Sequence, residues 1–169
     1  EIRYFTGYLT RFWESPSRPW FLLLPQSGKP VAVIPAIGAA LMSKTWITDI
    51  RTWSSPDLED DGLSLLASAI KDRVSKSGRI AVPSGHETHL RMPLNDFERL
   101  KAALPLYEFT SDQGIIRSLR MVKSEAEIAK IKTACEIAGR AFDSVPEIAQ
   151  QGRPVDAVFR DFQSLCLQE

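Results

Sequence analysis

His86 and His89 are the only imidazoles in this 169-residue chain, and they stand three apart in the stretch SGHETH. On a helix that spacing puts both rings on one face, the beginning of a zinc site, but zinc asks for three or four donors. Glu87 falls off that face and no distant His or Cys completes the set, so the stretch reads as a polar loop leading into a helix. Ser84 beside the two rings invites a nucleophile, yet serine catalysis needs a base held by a third group and an oxyanion hole, which a local cluster does not supply. Asp57, Glu59, Asp60 and Asp61 precede a helical pattern. Carboxylates there cap free amides and complement the helix dipole, which explains them without a bound cation. Cys135 and Cys166 lie 31 positions apart on helical patterns and read as two buried thiols of a reducing compartment rather than a disulfide. No residue is assigned a catalytic or metal-ligating role.

The loop RFWESPSRPW, Arg11 to Trp20, is different in kind. Arginine presents a planar fork of donors that matches a carboxylate, and tryptophan offers a rigid apolar wall beside it. Trp13, Trp20, Arg11 and Arg18 cluster in this loop, and Arg18 and Trp13 are the substrate-binding candidates. The competing reading is a surface loop whose tryptophans cover a sheet edge.

The rest of the chain must position that loop. Hydrophobic residues make up 44% and charged residues 25%, a globular composition, and 21 basic residues balance 21 acidic ones. A neutral chain gives no electrostatic reason to expect nucleic acid or an anionic membrane as partner. The densest apolar run, PWFLLLP, is far short of the ~20 residues of a membrane span and reads as a buried strand. Ile2 to Leu9 alternates aromatic and polar types and is expected to be extended. Trp20 to Leu24 and Val31 to Ile34, joined by the polar turn at Gln26 to Lys29, predict a hairpin. Ala39 to Ser43 fits one helical turn and Thr45 to Trp53 a half-buried strand. Leu63, Leu66, Ile70 and Val74 draw a helical stripe, as do Leu94, Phe97, Leu100 and Leu104. Arg79 to Pro83 and Leu106 to Phe109 are short strands. Alternating strands and helices predict an α/β layer arrangement. From Ser111 the pattern is all helical: Asp112 to Leu119, a helix opening at Ser124, and a last one from Pro154 to about Leu167. Ser124 with Glu127 three residues on is a capping box, and Ile128, Ile131, Cys135, Ala138 and Phe142 then form one apolar stripe. That stripe expects a partner surface, most of it outside this chain. The domain boundary falls between residues 118 and 119, with the start of the first domain expected to be missing.

IRYFTGY, the strand pair, Ala103-Leu104-Pro105 and the stretch LRMVKSEAEIAKIKTA, with Arg120, Lys123, Ser124, Glu127 and Ile128 as its most specific piece, resemble the amino-terminal half of the creatinase and prolidase family. QGRPVDAVFRDF from Gln151 resembles the turn and second helix that open the family's pita-bread catalytic domain. The resemblance implies a mixed-sheet, ribonuclease H-like α/β domain over residues 1–118, followed at 119–169 by the opening helices of a truncated catalytic domain. It also implies that Arg18-Pro19-Trp20 contacts the substrate carboxylate across a homodimer, in the neighbouring subunit's site.

Two divalent ions, manganese, cobalt or zinc, are expected in the catalytic domain, held by two Asp, one His and two Glu. Past Ser124 this chain has carboxylates but no histidine, so the fragment alone is expected to be inert. The function implied is dimerisation and partial roofing of the substrate site in a cytoplasmic Xaa-Pro dipeptidase or aminopeptidase. A creatinase-type amidinohydrolase or dimethylsulfoniopropionate lyase, acting on a small zwitterion, keeps the same fold, as does a non-enzymatic interaction module. The downstream coding sequence discriminates the enzymes from the module.

Overall fold

Five consecutive buried residues, Val31–Pro35, form β2, the strand on which the first part of the chain is built. The computed structural model describes residues 1–9 and 18–168, in two compact units, Glu1–Ile116 and Arg117–Glu169. In the first unit β1 (Phe21–Leu23) pairs antiparallel with β2, Phe21 opposite Val33, so the predicted hairpin is present. β3 (Asp49–Trp53) pairs parallel on the other side of β2, Val31 opposite Asp49. β4 (Arg79–Val82) and β5 (Glu108–Ser111) form a separate parallel pair. The architecture is mixed α/β, as the alternation of patterns predicts.

Successive residues of a strand face opposite ways, and β2 uses both faces. Val31 and Val33 pack with Leu63, Leu66 and Ile70 of α3 (Leu63–Arg73), and with Leu100 of α4 (Leu94–Ala103) and Leu104 just after it. Ala32 and Ile34 pack with Tyr8, Met42 and Ile47, flanked by Trp20 and Leu22. Asp60 accepts the Ser64 N–H at 2.8 Å, so the acidic run does cap the start of α3. At the other end of that helix, Asp72 and Arg73 pair with Arg51 and Asp49 of β3, at 2.5 and 2.6 Å.

Four local expectations are corrected. Ile2 to Thr6 is a short helix, α1, rather than an extended segment; the aromatic-polar alternation imitates a strand, but Gly7 in the left-handed region (φ 74°) closes a helical turn onto the Arg3 carbonyl. The strand expected from Thr45 starts only at Asp49. The Thr45 hydroxyl donates to the Met42 carbonyl at 2.8 Å and accepts the Ile47 N–H at 3.2 Å, holding those residues in a turn. β5 begins at Glu108 instead of Leu106, because the Tyr107 N–H returns to the Leu104 carbonyl at 3.0 Å. The next helix, α5, is Ile115–Met121; Asp112 still continues the ladder, its N–H bonding the Val82 carbonyl at 2.9 Å.

The second unit is helical. α6 (Glu125–Asp143) opens on the capping box at Ser124, and after the short α7 (Val145–Ile148) comes α8 (Val155–Gln168). Phe142 and Phe162 meet across α6 and α8 with ring centroids 4.9 Å apart, and Arg153 pairs with Asp161. The stripe on α6 is open to solvent: Ile131 is 49% and Phe142 64% exposed. Both thiols are free, with Cys135 exposed and Cys166 half-buried, which corrects the expectation of two buried cysteines. No helix among the described residues is long and apolar enough to cross a membrane.

Candidate functional site

The segment after α1 turns inward through a chain of local hydrogen bonds. The Thr6 hydroxyl donates to the Ile2 carbonyl at 2.7 Å and accepts the Tyr8 N–H at 3.0 Å. Thr6 and Tyr8 are both buried, the latter 2% exposed. Trp46, from the turn before β3, donates its Nε1–H to the Phe5 carbonyl at 2.9 Å and ties α1 to the body of the unit.

Tyr8 forms one wall for Trp20, with ring centroids 5.3 Å apart at 45°. Its hydroxyl also makes a long hydrogen bond, 3.5 Å, to the Gly38 carbonyl. Gly38 is the other wall. It is buried at the end of the 3₁₀ turn Ala36–Gly38, between β2 and α2 (Ala39–Met42), and a Cβ there would lie 2.1 Å from Cη2 and 2.5 Å from Cζ3 of Trp20. Only a residue without a side chain lets the indole in. Pro19 is buried and Trp20 half-buried. Arg18, also half-buried, thus directly precedes a buried proline and a wedged indole at the entrance to β1. Trp13 lies outside the described residues, as does Arg11. Tyr8 and Gly38 carry no site signal in the sequence, because TGY and PAIGAAL are small and aromatic stretches that meet only across 30 positions.

The remaining candidates are unremarkable surface features. His86, its side chain 90% exposed, sits in a turn rather than on a helix, and its Nε2 is 3.9 Å from Glu87. His89 lines an open groove of about 400 Å³ with Leu90, Arg91, Met92 and Pro93. Among the described residues no three of His, Cys, Asp or Glu converge to hold a metal ion.

The main perturbed charges lie at the sheet edge. Arg51 donates through Nε and Nη2 to both Asp49 oxygens at 3.2 and 3.3 Å. This hydrogen bonding, with help from Arg73, holds the Asp49 carboxyl below its ordinary range and raises the Arg51 guanidinium in turn. These groups staple β3 to α3; they are structural.

Residues 1–122 match the family model described as the creatinase/prolidase N-terminal domain. The chain belongs to this family. As a creatinase/prolidase N-terminal domain it is similar to the Xaa-Pro dipeptidase of Pyrococcus horikoshii, 37% identical over 62 residues, which are 37% of this chain and 18% of that protein. It is 28% identical to an uncharacterised peptidase of Staphylococcus saprophyticus over 152 residues, 89% of this chain and 38% of that one. Among solved structures, the X-Pro aminopeptidase of Thermotoga maritima superposes with a TM-score of 0.74 at 21% identity, covering 99% of this chain and 42% of the enzyme. The last likeness shows the fold alone. In each case the matched part of this chain spans less than half of the relative's length.

Proposed function

We propose that this creatinase/prolidase N-terminal domain serves a metal-dependent Xaa-Pro peptidase-like hydrolase without carrying its chemistry. It contributes a homodimer contact and part of the roof over the substrate site of a cytoplasmic enzyme, whose two divalent ions (manganese, cobalt or zinc) are held by a catalytic region. Arg18 receives the carboxylate of a short peptide, in the partner subunit's site, and Trp13 lines the same site. Roofing excludes water and limits substrate length.

The observation that supports this reading is the anchoring of Arg18. The next residue, Pro19, is buried, and the Trp20 indole after it is wedged between Tyr8 and Gly38, so the guanidinium is carried on an anchored stretch of backbone. A pre-positioned bidentate donor loses less freedom when an anion arrives. The test is an assay of the full-length polypeptide with an Ala-Pro dipeptide under manganese, cobalt and zinc. Metal-dependent cleavage is expected, and a creatine and dimethylsulfoniopropionate panel runs beside it. No dipeptide cleavage under any of the three metals overturns the peptidase reading.

A further inference from the structure

We infer that Gly38 is a positioning residue for Arg18: by leaving a slot for the Trp20 indole it sets where the guanidinium is presented, and so it sets the preference for substrates with a free carboxylate. The inference rests on the proposed role of Arg18 and goes beyond it in naming the device that aims the side chain.

A Cβ at position 38 would stand 2.1 Å from Trp20 Cη2, well inside van der Waals contact, and 3.2 Å from Cζ2. The indole has little room to yield sideways, because the Tyr8 ring packs against it and the Tyr8 hydroxyl is tied to the Gly38 carbonyl. Nor can the backbone at residue 38 retreat easily, since the turn runs directly out of β2, whose residues are fully buried. Strain from an added methyl therefore passes outward along Trp20 and Pro19 to Arg18. Pro19 transmits it well, because its ring fixes one of its own two backbone torsions. A shift on the scale of 1 Å is enough to spoil a two-pronged hydrogen bond to a carboxylate while leaving the fold intact.

The experiment compares Ala-Pro with its carboxamide, Ala-Pro-NH2, in the full-length polypeptide. Wild type is expected to prefer the free carboxylate, and Arg18→Gln to lose that preference. Gly38→Ala is expected to raise KM for Ala-Pro roughly tenfold with kcat near wild type, and to leave KM for the carboxamide unchanged. The double variant Gly38→Ala, Trp20→Phe, whose smaller ring lacks the clashing atoms, is expected to recover part of the preference. Trp20→Phe alone, which empties the slot without a clash, provides a second reading should Gly38→Ala fold poorly; it too is expected to weaken the preference. If Arg18→Gln abolishes the preference while Gly38→Ala and Trp20→Phe both keep it, this inference is overturned and the role of Arg18 stands. Equal loss on both substrates also overturns it, since that marks a purely structural residue. Should wild type and Arg18→Gln treat the two substrates alike, the role of Arg18 fails and the inference falls with it.

Discussion

Ser124 and Glu127 hydrogen-bond each other's backbone across the first turn of α6. The Glu127 N–H donates to Ser124 Oγ at 3.3 Å, and the Ser124 N–H donates to Glu127 Oε2 at 2.9 Å. The serine hydroxyl adds a third bond to the same carboxylate oxygen at 2.6 Å, and these bonds hold the Glu127 carboxyl below its ordinary range. Two amides that a helix start leaves without partners are satisfied at once. Ser124→Ala is expected to fray this end of α6 and cost about 1 kcal/mol, the usual worth of a serine N-cap, whereas Ser124→Asp retains most of it. Amide exchange at Glu127 is the measurement; unchanged protection in Ser124→Ala contradicts the prediction.

Ile34 and Leu104 sit on opposite faces of the β2 core and are each at most 1% exposed. Ile34→Ala and Leu104→Ala should each lower the unfolding free energy by about 2–5 kcal/mol, and Ile34→Val by about 1 kcal/mol, in urea titrations. Costs under about 1 kcal/mol for both alanine variants would mean neither side chain is in the core.

Asp49 makes the first unit acid-sensitive in a defined direction. Its folded pKa lies below the ordinary 3.8 because Arg51 hydrogen-bonds the ionised form. That stabilisation is fully present above the unfolded pKa and is lost as pH falls from about 4 through the lower folded value. Asp49→Asn is expected to be less stable near neutral pH and to show a shallower loss below pH 4. Parallel stability curves for wild type and variant would count against the staple.

Ile128 and Ile131 stand open on α6, 54% and 49% exposed. The 169-residue chain is expected to bind an apolar fluorescent dye, and Ile128→Glu with Ile131→Glu should reduce that signal at least twofold without unfolding α6. Helicity by circular dichroism controls for folding. An unaltered dye signal places the apolar surface elsewhere.

Much of the fold is legible because its signals are local. The capping box at Ser124, the stripes of α3 and α4, and the hairpin of β1 and β2 are written within a few residues each. What escaped depends on distant contacts or on side chains that redirect the backbone. α1 reads as a strand in the sequence because Tyr4, Thr6 and Tyr8 alternate with other types, and nothing nearby announces the bond from Trp46 to Phe5 across 41 positions. Thr45 suits a strand by propensity, yet its hydroxyl commits it to a turn. For the site, the Arg-Pro-Trp order is legible in the sequence and the slot at Gly38 is not, since a glycine's reason for being a glycine lies in what approaches it.

The use of both faces of β2 has a consequence for how this domain tolerates change in length. Adding or deleting one residue between Val31 and Ile34 would exchange the two side-chain sets, sending valines toward Tyr8 and the isoleucine toward Leu104. Diversification of this stretch is therefore confined to exchanges of size and shape, whereas the polar turn at Gln26 to Lys29, exposed throughout, is free to grow or shrink.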